Sequence, residues 1–191
     1  MIRPDISKSL IHLTRDKDGI SSDKIFDKII SEKTIIGSSE NIRGRFNCIC
    51  FSETPISAIG QIIALKDSKF HYGSYGFMFS KKYLFDIGAR PAIYQPDSDF
   101  KLLPEDLQYR HVKFEIETID WTWEREWRLR INKLELHPNH VTLIIPNRNK
   151  IEEYKERAIK ANRALSMATR GILRSGKKLE WHFISLEDLG Y

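Results

Sequence analysis

The residues most suited to chemistry lie in segment 121–130, which carries two glutamates and arginines among tryptophans. Its alternation predicts a β-strand on which Glu124, Glu126 and Arg128 share one face. Two carboxylates at this spacing stand ~7 Å apart, twice the rise per strand residue. They are close enough to work together on one substrate. A plainer interpretation also stays open, in which the face is exposed and Arg128 pairs with Glu126.

Other polar residues of chemical interest are scattered along the chain. His12 stands near Thr14 in a short apolar run. A single histidine in such a run is more often a hydrogen-bonded packing residue than a ligand or a base. The segment Ser52-Glu53-Thr54-Pro55 closes a second apolar run and can cap a helix or face a ligand. Tyr72 and Tyr75 stand in a glycine-rich segment, predicted as a turn, and can form an aromatic shelf.

Several familiar sites are missing from the sequence. It contains no phosphate-binding GxxxxGK[ST], no GxGxxG and no GxSxG motif. No pair of histidines has metal-ligand spacing with a carboxylate nearby, and Pro138 separates the two closest, His137 and His140. We therefore predict no metal site.

Composition indicates an ordinary globular protein. The chain has 191 residues, of which 41% are hydrophobic and 30% are charged. No apolar run approaches the ~18 residues of a membrane helix, and residues 1–5 lack a signal pattern. Cys48 and Cys50 would point to one face of a strand, which does not suit a disulfide. These features predict a cytoplasmic protein without membrane contact.

The formal net charge of +5 is unevenly distributed. Residues 147–178 contain ten lysines and arginines against three acids. Such a cluster can bind a polyanion, and it can equally be a solvated helix face. The cations that we predict to contact nucleic acid are Lys160, Arg163, Arg170 and Arg174.

Hydrophobic periodicity predicts the elements that position these residues. Strands are predicted at residues 10–14, 47–51, 77–79, 90–94, 112–116, 121–130, 141–145 and 179–184. Helices are predicted at residues 24–33, 57–65 and 151–170, the last with an apolar stripe of Ile151, Tyr154, Ala158, Ala161 and Leu165.

Strands outnumber helices and their connections are short, so we predict an α+β fold with a mixed or antiparallel sheet. The whole chain, 1–191, is predicted to be a single domain. Within it we expect a core at residues 10–146, a basic helical segment at 147–178 that packs on the core, and a final strand and tail at 179–191.

Four segments, in order, resemble a family of phage-resistance proteins. They are CFSETP at 50–55, YGSYG at 72–76, GARPAIY at 88–94 and EREWR at 124–128. The set is similar to the abortive-infection family AbiGi, and the similarity covers about residues 10–130. The family is labelled as an antitoxin, so this resemblance implies a role in phage defence.

A second resemblance is to bacterial ADP-ribosyltransferase toxins that modify DNA or RNA. Their first strand carries His-x-Thr, as in residues 12–14, and a later strand carries Glu-x-Glu, as in residues 124–126. This resemblance implies a sheet with flanking helices and NAD as co-substrate. DNA-modifying members place an arginine where this chain has residues 52–54, so Arg15, Arg43 or Arg45 must hold the pyrophosphate instead.

The second resemblance also implies roles for individual residues. Glu126 would stabilise the oxocarbenium-like transition state through the ribose 2′-hydroxyl, and Glu124 would orient or deprotonate the acceptor. The NAD-binding residues would be His12 and Thr14 at a ribose, Tyr75 and Tyr72 at nicotinamide, and Ser52 at the strand end.

Three functions therefore remain open from the sequence. The first is a transferase that modifies nucleic acid, RNA or DNA, and needs a neutralising antitoxin or chaperone protein as partner. The second is a non-enzymatic antitoxin that uses segment 124–128 as an interface. The third is a nuclease built on Glu124 and Glu126, which no further Asp, Glu or Lys grouping supports.

Overall fold

A computed structural model of the protein describes residues 6–64, 72–168 and 181–191. The strands in these ranges are β1 (Ser9–Arg15), β2 (Thr34–Ile36), β3 (Ile49–Ser52), β4 (Tyr72–Ser80), β5 (Arg90–Pro91), β6 (Ile93–Gln95), β7 (His111–Lys113), β8 (Glu126–Leu129), β9 (Lys133–Glu135), β10 (Val141–Ile145) and β11 (His182–Ser185). The α-helices are α1 (Ser22–Glu32), α2 (Ile56–Ala64), α3 (Lys81–Asp86) and α4 (Arg148–Ala168). Among these helices, none has the length and hydropathy that a membrane crossing requires.

A seven-stranded sheet organises the described residues, in the order β11-β10-β4-β1-β3-β8-β5. Its neighbours are antiparallel except β10 and β11, which run parallel. Two small two-stranded sheets, β2-β9 and β6-β7, stand beside it. The predicted α+β fold with a mixed sheet is therefore confirmed.

The sheet is covered on both faces by apolar side chains. On one face Phe77 of β4 packs on Phe26 of α1, with ring centroids 4.9 Å apart. On the other face Ile11 and Ile144 pack with Ile59 of α2. Alternation along each strand sends successive residues to these two layers, and burial of both layers stabilises the sheet.

The long helix α4 docks through its first turns. Ile151 and Tyr154 pack against the main core, and the Tyr154 ring meets Phe26 edge-on at 5.8 Å. The predicted apolar stripe is wrong at Ala158, which is exposed, because large side chains earlier in the helix make the docking contact. The side chains of Ala161 and Leu165 lie outside the described part of the structure.

Segment 72–76 is strand and not the turn that its glycines predict. The glycines serve close packing here. A Cβ at Gly76 would lie 2.7 Å from the backbone oxygen of His12, and one at Gly73 would lie 2.2 Å from the Ser22 hydroxyl. Both positions must stay small so that β4 can lie against β1 and the start of α1.

Other element boundaries differ modestly from prediction. The strand predicted at 90–94 is broken at Ala92, whose N–H donates to the Glu126 carbonyl, and the chain then pairs β6 with β7. The final strand begins at His182, and residues 179–180 of its predicted range lie outside the described residues. Residue 65 of the second predicted helix and residues 169–170 of the third lie outside them as well.

We predict that Gly76→Ala destabilises the fold by about 1–3 kcal/mol, the usual cost of overpacking. The added Cβ would meet the His12 backbone, which cannot give way without disturbing the β1–β4 ladder. Urea unfolding measures the change. Ser74→Ala in the same strand is the matched control and should alter stability by less than about 0.5 kcal/mol. Equal stability of both variants would contradict the close packing.

Candidate active site

A cleft of about 1110 Å³ opens where β1 parts from β3. The two strands pair at Ile11 and Ser52, and the register of β1 against β4 shifts after Leu13. Side chains from β1, α1, β3, β8 and the loops after β2 line this cleft. Among the predicted site residues, the lining includes His12, Thr14, Ser52, Tyr72, Glu124 and Glu126.

Glu126 is held at the cleft floor by a buried ion pair with Arg128. The Arg128 guanidinium donates to both carboxylate oxygens of Glu126, Nε at 2.8 Å and Nη2 at 3.2 Å. Its Nη1 donates to the carbonyls of Tyr109 and His111 at 2.9 and 2.8 Å. Since a carboxylate has about four acceptor positions, Glu126 keeps capacity for a ligand hydroxyl.

Glu124 stands on a turn before β8 and not on the strand, so the predicted strand at 121–130 is wrong in its first half. Residues Thr122–Glu124 form a 3₁₀ turn and Arg125 adopts a left-handed conformation with φ 46°. Only residues Glu126–Leu129 are strand. The two glutamates therefore reach the same cleft through a change of backbone direction and not through strand alternation.

Hydroxyl groups after β3 hold this turn in place. Ser52 Oγ donates to the Glu124 carbonyl at 2.6 Å, and Thr54 Oγ1 donates to the Trp123 carbonyl. At the other end, Asp120 accepts from the N–H and hydroxyl of Thr122 at 2.8 and 2.5 Å. These contacts replace the ladder bonds that a continuous strand would make.

The carboxylate of Glu124 is half-buried beside Tyr72. Tyr72 Oη donates to Glu124 Oε1 at 2.7 Å. Burial raises the pKa of Glu124, while the Tyr72 hydrogen bond opposes that rise. A carboxyl group with a raised pKa accepts protons closer to neutral pH, which suits a general base.

His12 lines the cleft, and its ring packs near Phe51 and Phe77, with centroid distances of 6.0 and 6.5 Å. Its Nδ1 lies 2.8 Å from the carbonyl oxygen of Cys50. Because a carbonyl only accepts, Nδ1 carries the proton, and Nε2 is the acceptor in the neutral ring. Burial lowers the pKa of His12, which favours this neutral form.

The other predicted NAD-binding residues are mostly engaged in structural contacts. Buried Thr14 donates its hydroxyl to the Tyr75 carbonyl at 3.0 Å, and the Ser52 hydroxyl is committed to the turn. Tyr75 does not line the cleft, because its ring packs on Phe26 with centroids 5.2 Å apart. Its place under α1 does not support contact with nicotinamide. Tyr72 lines the cleft and remains available as an aromatic surface.

The three arginines considered for a pyrophosphate differ in placement. Arg15 and Arg43 line the cleft, whereas Arg45 is exposed outside it. Arg43 is bonded to the Asp97 carboxylate and covers the Phe100 ring at 4.6 Å. Arg15 is therefore the better placed of the three.

The basic helix carries many of its cations in ion pairs. Lys150, Lys155 and Lys160 each pair with a glutamate of α4. Arg157 pairs with Asp27 of α1. Among the predicted nucleic-acid contacts, Lys160 is exposed, the side chain of Arg163 is outside the described part, and Arg170 and Arg174 lie outside the described residues. No described residue of α4 lines the cleft.

Two residues that support the site were given no individual role from sequence. Tyr94 accepts the backbone N–H of Glu126 at 2.7 Å and so fixes the start of β8. Glu53 accepts from the Trp127 indole at 3.0 Å and from Lys81. Glu53 lies in segment 50–55 and Tyr94 in segment 88–94, two of the segments that carry the AbiGi resemblance, and that was the available signal for both.

Both cysteines lie in the wall of the cleft as free thiols. Burial raises the pKa of Cys48 to about 11, and burial also raises the pKa of Cys50 well above its usual range. Both are therefore protonated and unreactive near neutral pH. Across the described residues, no three His, Cys, Asp or Glu side chains converge as a metal ion would require.

Comparison of the chain with protein-family models, with curated proteins and with solved structures gave no significant match. The geometry of the cleft is thus the basis for its chemical interpretation.

We predict that Arg128→Met destabilises the protein by about 3–5 kcal/mol, because Glu126 is left charged and buried without a partner. The double variant Glu126→Leu/Arg128→Met should lose much less, since both charges are replaced by apolar groups. Denaturant unfolding of the two single variants and the double variant gives the coupling energy. A single-variant loss below about 1 kcal/mol would show that the pair is not buried as described.

We also predict a pH effect from His12. Its pKa is lower in the folded state than the ordinary value of 6.5, so the unfolded chain binds the proton more tightly. Stability from this residue is present above about pH 6.5 and is lost as the pH falls, by at most about 1.4 kcal/mol per pH unit. Urea unfolding between pH 7.5 and about pH 5 should show a shallower loss for His12→Gln than for wild type. The exposed-site control His182→Gln should keep the wild-type slope, and an unchanged slope in His12→Gln would contradict the assignment.

Proposed function

We propose that this protein is an NAD-dependent ADP-ribosyltransferase that modifies nucleic acid. The observation that carries the proposal is that His12, Glu124 and Glu126 all line one cleft. Strand order supports it, because β1, β3 and β8 are neighbours and bring residues from distant parts of the chain together. The AbiGi resemblance adds a phage-defence setting.

The cleft has the size and the polar groups that a dinucleotide needs. Its volume of about 1110 Å³ is slightly above the usual range for ligand pockets. The acceptor nitrogen Nε2 of His12 suits a ribose hydroxyl, which is a hydrogen-bond donor. Tyr72 offers an aromatic surface beside the same carboxylates, where a nicotinamide ring would stack.

In the proposed reaction the bond between ribose C1′ and the nicotinamide nitrogen breaks. Nicotinamide leaves with the bonding electron pair as a neutral molecule, and positive charge develops on the ribose. The fixed carboxylate of Glu126 stabilises that charge through the ribose 2′-hydroxyl. Its clamp by Arg128 keeps the carboxylate in place, so little reorganisation is needed during the reaction.

The acceptor then forms the new bond to C1′ and loses a proton. Glu124 takes that proton in this proposal, because burial raises its pKa towards neutral pH. An RNA or DNA base supplies the nucleophile. We place the reaction in the cytoplasm, where uncontrolled modification of nucleic acid would be toxic, and we infer that a neutralising antitoxin accompanies the protein.

We predict that Glu126→Gln lowers the rate of NAD cleavage by about 10²–10³-fold, the usual loss on removing one transition-state contact. Binding of ADP-ribose should change far less, because the charge on the ribose develops only in the transition state. Nicotinamide release measured by chromatography gives the rate, and calorimetry gives the affinity.

Glu124→Gln should impair transfer to oligonucleotide more than hydrolysis of NAD. Circular dichroism checks that each variant is folded at the assay temperature.

Glu135→Gln is the matched control, since Glu135 is an exposed carboxylate on β9. It should retain wild-type activity. Mass spectrometry of nucleic acid and protein from expressing cells identifies the acceptor by an added ADP-ribose. Near-normal NAD turnover in folded Glu126→Gln would exclude the assigned role.

A second candidate is the non-enzymatic antitoxin, and one observation favours it. The bidentate bond to Arg128 occupies both oxygens of Glu126, as a purely structural ion pair would. On this interpretation the purified wild-type protein neither cleaves NAD nor modifies nucleic acid. The same nicotinamide assay therefore separates the two candidates.

A further inference from the structure

Two cations of the cleft converge on one carboxylate oxygen. Lys17 Nζ lies 2.5 Å and Arg15 Nη2 lies 3.8 Å from Oε2 of Glu40. All three residues line the cleft, and their side chains are each about half exposed, at 46%, 48% and 49%. The Glu40 carboxylate oxygen thus has two cationic partners, Lys17 and Arg15.

Both cations stand on a well-defined backbone. Arg15 ends β1, where it pairs with Tyr72 of β4. Lys17 begins a tight turn in which it exchanges backbone hydrogen bonds with Ile20, at 2.9 and 2.8 Å. Asp18 and Gly19 at the turn centre have φ of 52° and 76°, the values of a two-residue hairpin.

Glu40 is less firmly placed than its two partners. It lies in the loop between β2 and β3, and its N–H donates to the Ser38 hydroxyl at 3.1 Å. Exposed ion pairs of this kind are weak in water, so another anion can replace the carboxylate.

The position of the pair within the cleft is informative. Arg15 follows His12 by three residues on the same strand, and its charge acts on Glu124 and Tyr72 as well. The other cleft arginine, Arg43, is committed to Asp97 and Phe100. The Arg15–Lys17 pair is therefore a cationic group of the cleft whose Arg15 acts electrostatically on the candidate catalytic carboxylate Glu124.

We infer that Arg15 and Lys17 form a subsite for a phosphate or diphosphate, and that Glu40 is an internal competitor which the ligand displaces. Phosphate oxygens satisfy both cations at once, and the guanidinium can bind two of them. The identity of the ligand as the NAD diphosphate rests on the proposed function. The existence of the subsite is inferred from the placement of Arg15, Lys17 and Glu40 alone.

The test measures binding of ADP and of adenosine by calorimetry. Glu40→Gln should tighten ADP binding about two- to fivefold, since a weak competing ion pair is removed. Arg15→Gln and Lys17→Gln should each weaken ADP binding about tenfold, the loss of one charge-assisted hydrogen bond. Adenosine, which lacks phosphate, should bind all four proteins alike.

The chain offers a matched control ion pair. Lys82 and Asp86 pair at 2.6 Å on α3, and neither lines the cleft. Lys82→Gln and Asp86→Asn make the same charge changes as the test variants and should leave ADP binding unchanged. Each substituted side chain is at least 46% exposed. Circular dichroism verifies that the variants are folded.

The outcomes separate the subsite from the proposed reaction. Unchanged or weaker ADP binding in Glu40→Gln, or no ADP binding by wild type, overturns the subsite. The expected ADP pattern without any NAD cleavage supports the subsite and rejects the transferase. NAD cleavage whose Michaelis constant is indifferent to Arg15→Gln and Lys17→Gln supports the transferase and overturns the subsite.

Discussion

The buried ion pair between Arg128 and Glu126 is the interaction on which the rest of the site depends. Taking two charges out of water is costly, and the pair persists because nearly every hydrogen-bonding group of the guanidinium is used. Through the carbonyls of Tyr109 and His111 the same arginine ties β8 to the turn before β7. One residue therefore fixes both the carboxylate at the cleft floor and the elements behind it.

The two glutamates of the cleft are supported in contrasting ways. Glu126 stands on a strand, and the Arg128 guanidinium holds its carboxylate in place. Glu124 stands on a turn that hydroxyl groups hold in place, and its burial favours the protonated form. In the proposed transfer reaction, a carboxylate held in place and a separate proton acceptor would serve different steps.

Local sequence patterns predicted most strands of the sheet, but they did not predict where several of these strands begin and end. Apolar runs identified β1, β3 and β10, because a buried strand must be apolar wherever it is covered on both faces. The glycines at 73 and 76 predicted a turn, yet they lie in β4, where absence of a side chain permits close packing. Alternation predicted one continuous strand at 121–130, but hydroxyls more than 60 residues away hold its first half as a turn.

The sequence by itself determined the α+β class, and the short spacing of Arg128 and Glu126 already allowed their pairing. The choice of His12, Glu124 and Glu126 as site residues is a prediction that rests on residue type and on the resemblance. Only the tertiary structure decided that Tyr75 faces the core, that Ser52 supports a turn, and that Glu40 lies between Arg15 and Lys17. These outcomes depend on contacts between segments far apart in the chain. Local periodicity carries no information on such contacts, because it reports which face a side chain occupies and not what lies opposite it.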